Sequence, residues 1–261
     1  MVQKKELYIM NENRRPWTWE ETVLAFELYC TVPSAKVTAA NVQVVALAQA
    51  INRTANSVKL KTQNFKTYDP SYTKNGRVGL SHGSKLDKEI VEQFLNNWND
   101  MSISAANIKT ALHIPDSIDI PDAQTEFVKE QTVKVRIGQS FFRRAVLSAY
   151  DTKCCITGIS VPELLIASHI KPWNVSDDAT EKTNPQNGLC LNAFHDRAFD
   201  RGFITVTPDY TIRVSARIQG DTDKIMAQWL TNYDGKKIFL PSRYTPKQEL
   251  LEYHNDVIFL R

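Results

Sequence analysis

The chain has 261 residues, of which 42% are hydrophobic and 23% charged, as is usual in folded globular proteins. A net charge of +3 excludes a chain that is basic throughout but leaves room for a local basic face. The sequence contains no run of about 18 apolar residues, so we predict no membrane span. The polar first residues predict no secretory signal. Four cysteines without C-x-x-C spacing argue against a disulfide framework or a zinc site. We therefore expect a cytoplasmic protein with reduced thiols.

The first hundred residues carry the signals of amphipathic helices. Thr18 and Glu21 have the spacing of a capping box, and Thr54 is a suitable N-cap further along the chain. Good helix formers follow Thr18, and apolar residues recur at helical spacing within residues 44–51 and 86–98. We predict four helices, at residues 19–30, 39–51, 55–66 and 86–98. Together they predict a helical N-terminal domain over residues 1–100.

The composition changes after this region. Residues 101–132 contain prolines and few helix signals, so we predict a linker there. The rest of the chain, residues 133–261, mixes strand and helix patterns and predicts a second domain. Its expected elements are a helix at 139–150, a strand at 164–170, a loop at 174–186, a short helix at 194–200, a hairpin from 203–206 and 210–214, a strand at 238–240 and a helix at 248–255. The predicted fold class is α+β.

The residues that indicate chemistry cluster in the motif core at 155–202. His169 lies on the predicted strand, and Asn187 follows the polar loop. Asp196 and Asp200 are four residues apart on a short helix, so both can point at one ion. Two carboxylates suit a partly hydrated Mg²⁺ or Mn²⁺, and a neutral histidine on another element can take a proton from water. This set predicts a one-metal phosphodiesterase.

Three segments of this core also carry a family resemblance. Residues 164–173 read LLIASHIKPW, residues 184–192 read NPQNGLCLN, and residues 195–202 read HDRAFDRG. They resemble the HNH endonuclease family, and within it the branch with the motifs A-S-H-I-K-P-W and H-D-x-A-F-D-x-G. The similarity covers about residues 133–215.

The resemblance implies a ββα-metal fold, in which a hairpin and a helix hold one divalent cation, and an activity that hydrolyses DNA phosphodiester bonds. It implies that His169 is the general base and that Asn187 fixes the loop and orients the strand of His169. The short helix would supply the metal ligands, and Asp200 is one of them.

The second ligand on this helix is open between two residues. Many relatives carry Asp or His just before the base, where this chain has Ser168, and His195 lies one residue earlier than the third-motif histidine of many relatives. His195 is therefore a candidate both for catalysis and for metal binding. Helix geometry favours Asp196, because His195 and Asp200 are five residues apart and diverge by about 140°.

A nuclease also needs to find its substrate, and the N-terminal half offers a candidate surface. The second and third helices, joined by residues 52–54, look like a helix-turn-helix. Polar and basic residues on and next to the third helix could contact phosphates and base edges. The candidates are Arg53, Asn56, Ser57, Lys59, Gln63 and Lys66. The alternative is a helical bundle with an ordinary basic surface helix.

The sequence thus predicts a helix-turn-helix-like N-terminal domain joined to an HNH nuclease domain. By resemblance, its setting is restriction or another defence against foreign DNA. The expected partner is double-stranded DNA, with no membrane and no small-molecule cofactor. A homodimer would supply the two active sites that a two-strand cut needs. Three alternatives stay open: a non-catalytic DNA-binding protein with a decayed nuclease fold, a nuclease acting on RNA, and a solvated ion-pair face around Asp196 and Asp200.

Overall fold

A computed structural model describes residues 15–74, 79, 83–115, 126–219 and 224–261. The chain divides into two compact units, residues 1–137 and residues 138–261. The first unit is helical and the second contains two small sheets, so the predicted α+β class is confirmed. The segment on which the prediction of no secretory signal rests lies mostly outside the described residues. Within those residues no helix is both long and apolar enough to cross a membrane.

One buried helix organises the first unit. The helices are α1 (Trp19–Thr31), α2 (Val42–Ala50), α3 (Ala55–Phe65), α4 (Pro70–Thr73), α5 (Lys85–Phe94) and α6 (Trp98–Ala111), with a 3₁₀ turn at Ser34–Lys36. Every residue of α1 from Glu21 to Thr31 is buried. Helices α2, α3, α5 and α6 all pack against α1, which makes it the centre of a helical bundle. A seventh helix, α7 (Glu126–Ala149), begins in the first unit and ends in the second.

Local signals set where these helices begin. The Thr18 hydroxyl accepts a hydrogen bond from the backbone of Glu21, and the Glu21 carboxylate accepts one from the backbone of Thr18. The Thr54 hydroxyl accepts from the backbone of Ser57 at 3.1 Å. Between α2 and α3, Asn52 adopts a left-handed conformation with a φ of 52°, which ends α2 and turns the chain. The predicted capping box and the Thr54 cap are confirmed.

The predicted linker at 101–132 is wrong at both ends, and its last residues, 126–132, belong to α7. Residues 101–111 belong to α6, which buries Met101, Ala105 and Ile108. These three residues have the spacing of one helix face, but the polar residues between them have modest helix propensity, so burial holds the helix. Residues 116–125 lie outside the described residues, and the domain limits stay a prediction.

The second unit contains the ββα arrangement. Strands β1 (Leu165–His169) and β2 (Gly188–Asn192) pair antiparallel, with His169 opposite Gly188. Helix α8 (Ala193–Asp200) follows β2 directly and packs against both strands. Two 3₁₀ turns, at Pro162–Leu164 and Pro185–Asn187, lead into the strands.

The remaining elements surround α8. They are the antiparallel pair β3 (Ile204–Val206) and β4 (Ile212–Val214), the short helices α9 (Ala216–Gln219), α10 (Lys224–Trp229) and α11 (Gln248–Tyr253), a 3₁₀ turn at Thr231–Tyr233 and a π-helical turn at His254–Ile258. The predicted strand at 238–240 is wrong, because Phe239 and Leu240 are exposed there and pair with no strand of the described chain.

Candidate active site

His169, Asp196 and Asp200 line one cavity of about 500 Å³ in the second unit. Strand β1 carries the histidine, and one face of α8 carries both aspartates at i and i+4 spacing. The strand pairing and the packing of α8 on β1 bring these side chains together. The cavity therefore combines an imidazole with two carboxylates.

The imidazole of His169 is held by stacking and by one hydrogen bond. Its ring lies 3.8 Å from the ring of Phe142, and Gly188 leaves room there, since a Cβ on it would lie 2.9 Å from the Phe142 ring. Nε2 lies 2.9 Å from the carbonyl of Lys182, so Nε2 carries the proton and donates it to that oxygen. Burial lowers the pKa of His169, and the carbonyl offsets this only in part. A neutral ring leaves Nδ1, which has no hydrogen-bond partner among the described residues, to accept a proton.

Asn187 is fully buried and fastens the chain that follows β1. Its Oδ1 accepts a hydrogen bond from the backbone of Lys171 at 2.9 Å. Its Nδ2 lies within hydrogen-bond distance of the Lys171 carbonyl, of the Ser176 hydroxyl and of the Glu181 carbonyl, at 3.2, 3.2 and 3.3 Å. These bonds hold the loop that carries the Lys182 carbonyl. Since Asn187 does not line the cavity, its place is that of a positioning residue.

The two aspartates form an acidic pair that the arginines of α8 compensate only in part. Burial raises the pKa of Asp196 and of Asp200, and the charge of Asp196 raises that of Asp200 further. Arg197 lowers both pKa values, but neither carboxylate has an ion-pair partner within 4 Å in the described part of the chain. The geometry therefore does not favour the solvated ion-pair face considered above.

The oxygen atoms of this cavity fit a hard cation. The buried Ser168 hydroxyl lies close enough to Asp196 to lower the pKa of that carboxyl, yet it makes no hydrogen bond of normal geometry. Within the described ranges no three His, Cys, Asp or Glu residues are grouped to enclose a metal ion. Two carboxylates and a hydroxyl suit an ion that keeps several of its waters, as Mg²⁺ does.

His195 lies outside the cavity, although it is adjacent to Asp196 in sequence. Its side chain is buried, and Nε2 donates to the Trp229 carbonyl at 2.7 Å. Nδ1 lies 2.9 Å from the side-chain nitrogen of Asn192, which also caps α8. Both ring nitrogens are therefore engaged within the fold, and burial lowers the pKa of His195.

Sequence reasoning missed several residues of the cavity wall. Arg197 and Arg201 flank the aspartates on α8, and Trp173 and His254 complete the wall. The i and i+4 spacing of the two arginines was a usable signal. His254 had none, because it comes from the end of the chain and reaches the site through stacking on Phe199 at 3.7 Å.

The first unit requires a correction of the predicted DNA contacts. The guanidinium of Arg53 is buried and donates to Glu21 at 2.7 and 3.1 Å. It also donates to the carbonyls of Arg15 and Pro16 and lies 4.2 Å from the ring of Trp17. Arg53 is therefore an internal ion-pair partner, and its predicted role as a DNA contact is wrong in this fold.

The other candidates lie on the outer side of α3. Asn56 is exposed, and four further residues are partly exposed: Ser57, Lys59, Gln63 and Lys66. The Lys66 ammonium lies over the ring of Tyr72 at 5.2 Å. The sequence from Arg53 to Lys66 contains basic but no acidic residues, yet its surface is less basic than this suggests, because Lys61 is buried in an ion pair with Asp87.

Comparison with known proteins adds a family to this geometry. The family model described as HNH endonuclease matches residues 154–207, which include β1, β2, α8 and β3. The resemblance to the HNH endonuclease family is confirmed at these residues, and the chain carries an HNH endonuclease domain. This domain is that of a nuclease, a hydrolase acting on nucleic acid, and nucleases of this family generally use a divalent metal ion. No curated protein matches the chain.

Proposed function

We propose that the second unit hydrolyses DNA phosphodiester bonds with one bound Mg²⁺ or Mn²⁺. The observation that carries this proposal is the shared cavity of His169, Asp196 and Asp200. A base and a pair of carboxylates able to hold a cation are the groups that metal-assisted hydrolysis of a phosphodiester needs. Cleavage is expected to leave 5′-phosphate and 3′-hydroxyl ends.

Asp196 and Asp200 are the proposed protein ligands. Both line the cavity and lack a cation partner among the described residues, whereas His195 has both ring nitrogens engaged elsewhere. We therefore leave His195 out of the ligand set and give it a structural role. A bound cation would polarise the phosphate and stabilise the leaving oxygen.

His169 is the proposed general base. Nδ1 takes a proton from the attacking water, while Nε2–H stays bonded to the Lys182 carbonyl. That bond fixes the tautomer, and it strengthens as positive charge develops on the ring. Asn187 acts through this arrangement, because its hydrogen bonds hold the loop that supplies the carbonyl.

A plasmid-nicking assay in Mn²⁺ and in EDTA tests the activity. We expect His169→Ala to slow cleavage by roughly 10²- to 10⁴-fold while DNA affinity stays within a few-fold, because the base acts in the transition state. His113→Asn is the matched control, since His113 is exposed in the first unit and its left-handed backbone tolerates asparagine. Near-normal turnover of His169→Ala would remove this residue from the mechanism.

We further propose that the first unit recognises duplex DNA through the outer side of α3. The support is an exposed Asn56 next to a partly exposed Lys59 and Gln63, on a helix that follows a tight turn after α2. Lys59→Glu should weaken binding and reduce the slope of log affinity against log salt by about one, because a phosphate contact is lost. Lys85→Glu, at an exposed lysine, is the control. An unchanged slope for Lys59→Glu would mean that this residue does not contact the backbone.

The proposed biological role is restriction or another defence against foreign DNA, with a homodimer making two-strand cuts. Digestion of plain, methylated and hydroxymethylated phage DNA, followed by sequencing of the ends, tests the role and the modification preference. A parallel digestion of labelled RNA tests the choice of substrate. Faster cleavage of RNA would contradict a DNA-directed enzyme.

A further inference from the structure

The structure holds a second cavity of about 270 Å³ that adjoins the first. The two cavities share Ile166, Ala167, His169 and Trp173 as lining residues. They therefore meet along the wall that carries the imidazole. The two adjoining cavities lie in the second unit, are called the groove below, and both include His169 in their lining.

Each of the two cavities of this groove contains charged side chains beside His169. One cavity contains Arg197 and Arg201, next to the two aspartates. The other cavity has Arg143 as its charged lining residue, on the last turns of α7. In the described part of the chain none of the three arginines pairs with a carboxylate within 4 Å.

Arg143 is held in place by hydrogen bonds that do not neutralise its positive charge. Its guanidinium donates to the carbonyl of Leu165 at 2.7 Å and to that of Pro162 at 3.4 Å. These acceptors are neutral, so they orient the side chain without cancelling its charge. The residue is exposed, and a guanidinium has five donors, so donors are left over for a ligand. A pre-oriented and unpaired guanidinium is suited to bind phosphate.

We infer that this groove holds one strand of the substrate, with Arg143 contacting a backbone phosphate on one side of the scissile bond and Arg197 and Arg201 contacting phosphates on the other side. The inference rests on the proposed nuclease function and extends it to the path of the strand. Contacts on both sides of the bond would hold it in register with His169. The ligand class is the sugar–phosphate backbone, which carries no sequence information, so these contacts position the strand.

The test uses the full chain and measures anisotropy of a labelled DNA duplex in EDTA over a range of salt concentrations. The variants are Arg143→Gln and the double variant Arg197→Gln with Arg201→Gln. Each lost phosphate contact should reduce the log–log salt slope by about 0.9, so the double variant should lose about twice as much as the single one. In Mn²⁺ we expect Arg143→Gln to raise KM several-fold with little change in kcat.

Arg213→Gln is the matched control, since Arg213 is an exposed arginine on β4 that lines neither cavity. Arg143 also bonds to β1, so Arg143→Gln could disturb the fold. Arg143→Lys serves as a second variant, which loses the planar guanidinium but keeps the positive charge. This variant should retain the salt slope. Unchanged slopes in folded Arg143→Gln and in the double variant would overturn the inference. Reduced slopes with a parent protein that cleaves nothing would support the groove and refute the nuclease proposal, so the two failures are distinguishable.

Discussion

Charged side chains are used differently in the two units. In the first unit, buried acids on α1 each have a cation: Glu21 pairs with Arg53, and Glu27 with Lys109 at 2.8 Å. These cations come from positions 32 and 82 residues away in sequence. The pairs satisfy buried charges that would otherwise destabilise the bundle.

The cavity of the second unit shows the opposite arrangement. Asp196 and Asp200 are close enough for one charge to raise the pKa of the other, and the described residues give neither an ion-pair partner. Among the described residues, Arg143 is oriented by neutral carbonyls. The comparison indicates that neutralised charges hold this protein together, while charges without a partner are available to an ion or to a phosphate.

The largest effect should come from removing the acidic pair. Asp200→Asn or Asp196→Asn should abolish Mn²⁺ binding in calorimetry and slow cleavage by roughly 10²-fold or more, since a bound ion supplies several kcal/mol of transition-state stabilisation. His195→Gln, next to Asp196, should bind Mn²⁺ like the parent. If the His195 variant loses the ion while Asp196→Asn keeps it, the assignment of the ligands on α8 is reversed.

Breaking an internal pair should instead affect stability. Arg53→Met leaves the buried Glu21 carboxylate with one cation fewer, which should lower the free energy of unfolding of the first unit by about 3 kcal/mol. Urea denaturation measures this. Lys59→Met, on the outer side of α3, should stay within about 0.5 kcal/mol of the parent. A stable Arg53→Met that binds DNA poorly would restore Arg53 as a DNA contact.

The two units should also lose stability at different pH. Burial lowers the pKa of His254 to about 4 from 6.5, so the unfolded chain binds a proton that the folded chain does not. The second unit should therefore lose about 3 kcal/mol as pH falls from about 6.5 to about 4. For Glu21, burial acts to raise the pKa, but hydrogen bonds from Arg15 and Arg53 outweigh it and place the pKa below 4.5. The first unit should keep this contribution above pH 4.5 and lose it below.

Hydrogen exchange read by mass spectrometry, corrected for the intrinsic pH dependence of exchange, resolves each unit separately. At pH 5.5 we expect protection to fall first in the second unit. His254→Gln should reduce that difference, because glutamine does not titrate, while the buried His169 and His195 keep their own contributions in the same direction. Loss of protection in both units over the same pH range would contradict the assignment.

What the sequence could predict follows from the distance over which each signal acts. Caps at Thr18 and Thr54 act within three residues, so the helix starts could be found. The spacing of Asp196 and Asp200, and the position of His169 on a strand before a polar loop, are also local. These local features are enough to predict the candidate site from the sequence.

The errors arose where a partner lies far away in the chain. A stretch from Arg53 to Lys66 without acids predicts a basic face, yet Arg53 is neutralised by Glu21 and Lys61 by Asp87. The groove could not be predicted for the same reason, because Arg143 lies on α7 and reaches β1 through tertiary packing. Only tertiary packing determines which charges meet a partner.

The hydrogen bonds that hold Asn187 also affect the long-term chemical stability of this protein. An asparagine followed by glycine is chemically fragile, because the next backbone nitrogen can attack the side-chain amide and convert it to aspartate or isoaspartate. In the folded chain Gly188, on β2, pairs with His169 on β1. The side-chain oxygen and nitrogen of Asn187 are both held by hydrogen bonds. Both features hinder that attack. In an unfolded chain this protection is gone. Heating that unfolds the chain would therefore convert Asn187 to aspartate or isoaspartate in a fraction of the molecules. A carboxylate would then stand where the loop needs an amide donor. These molecules would not regain activity on cooling.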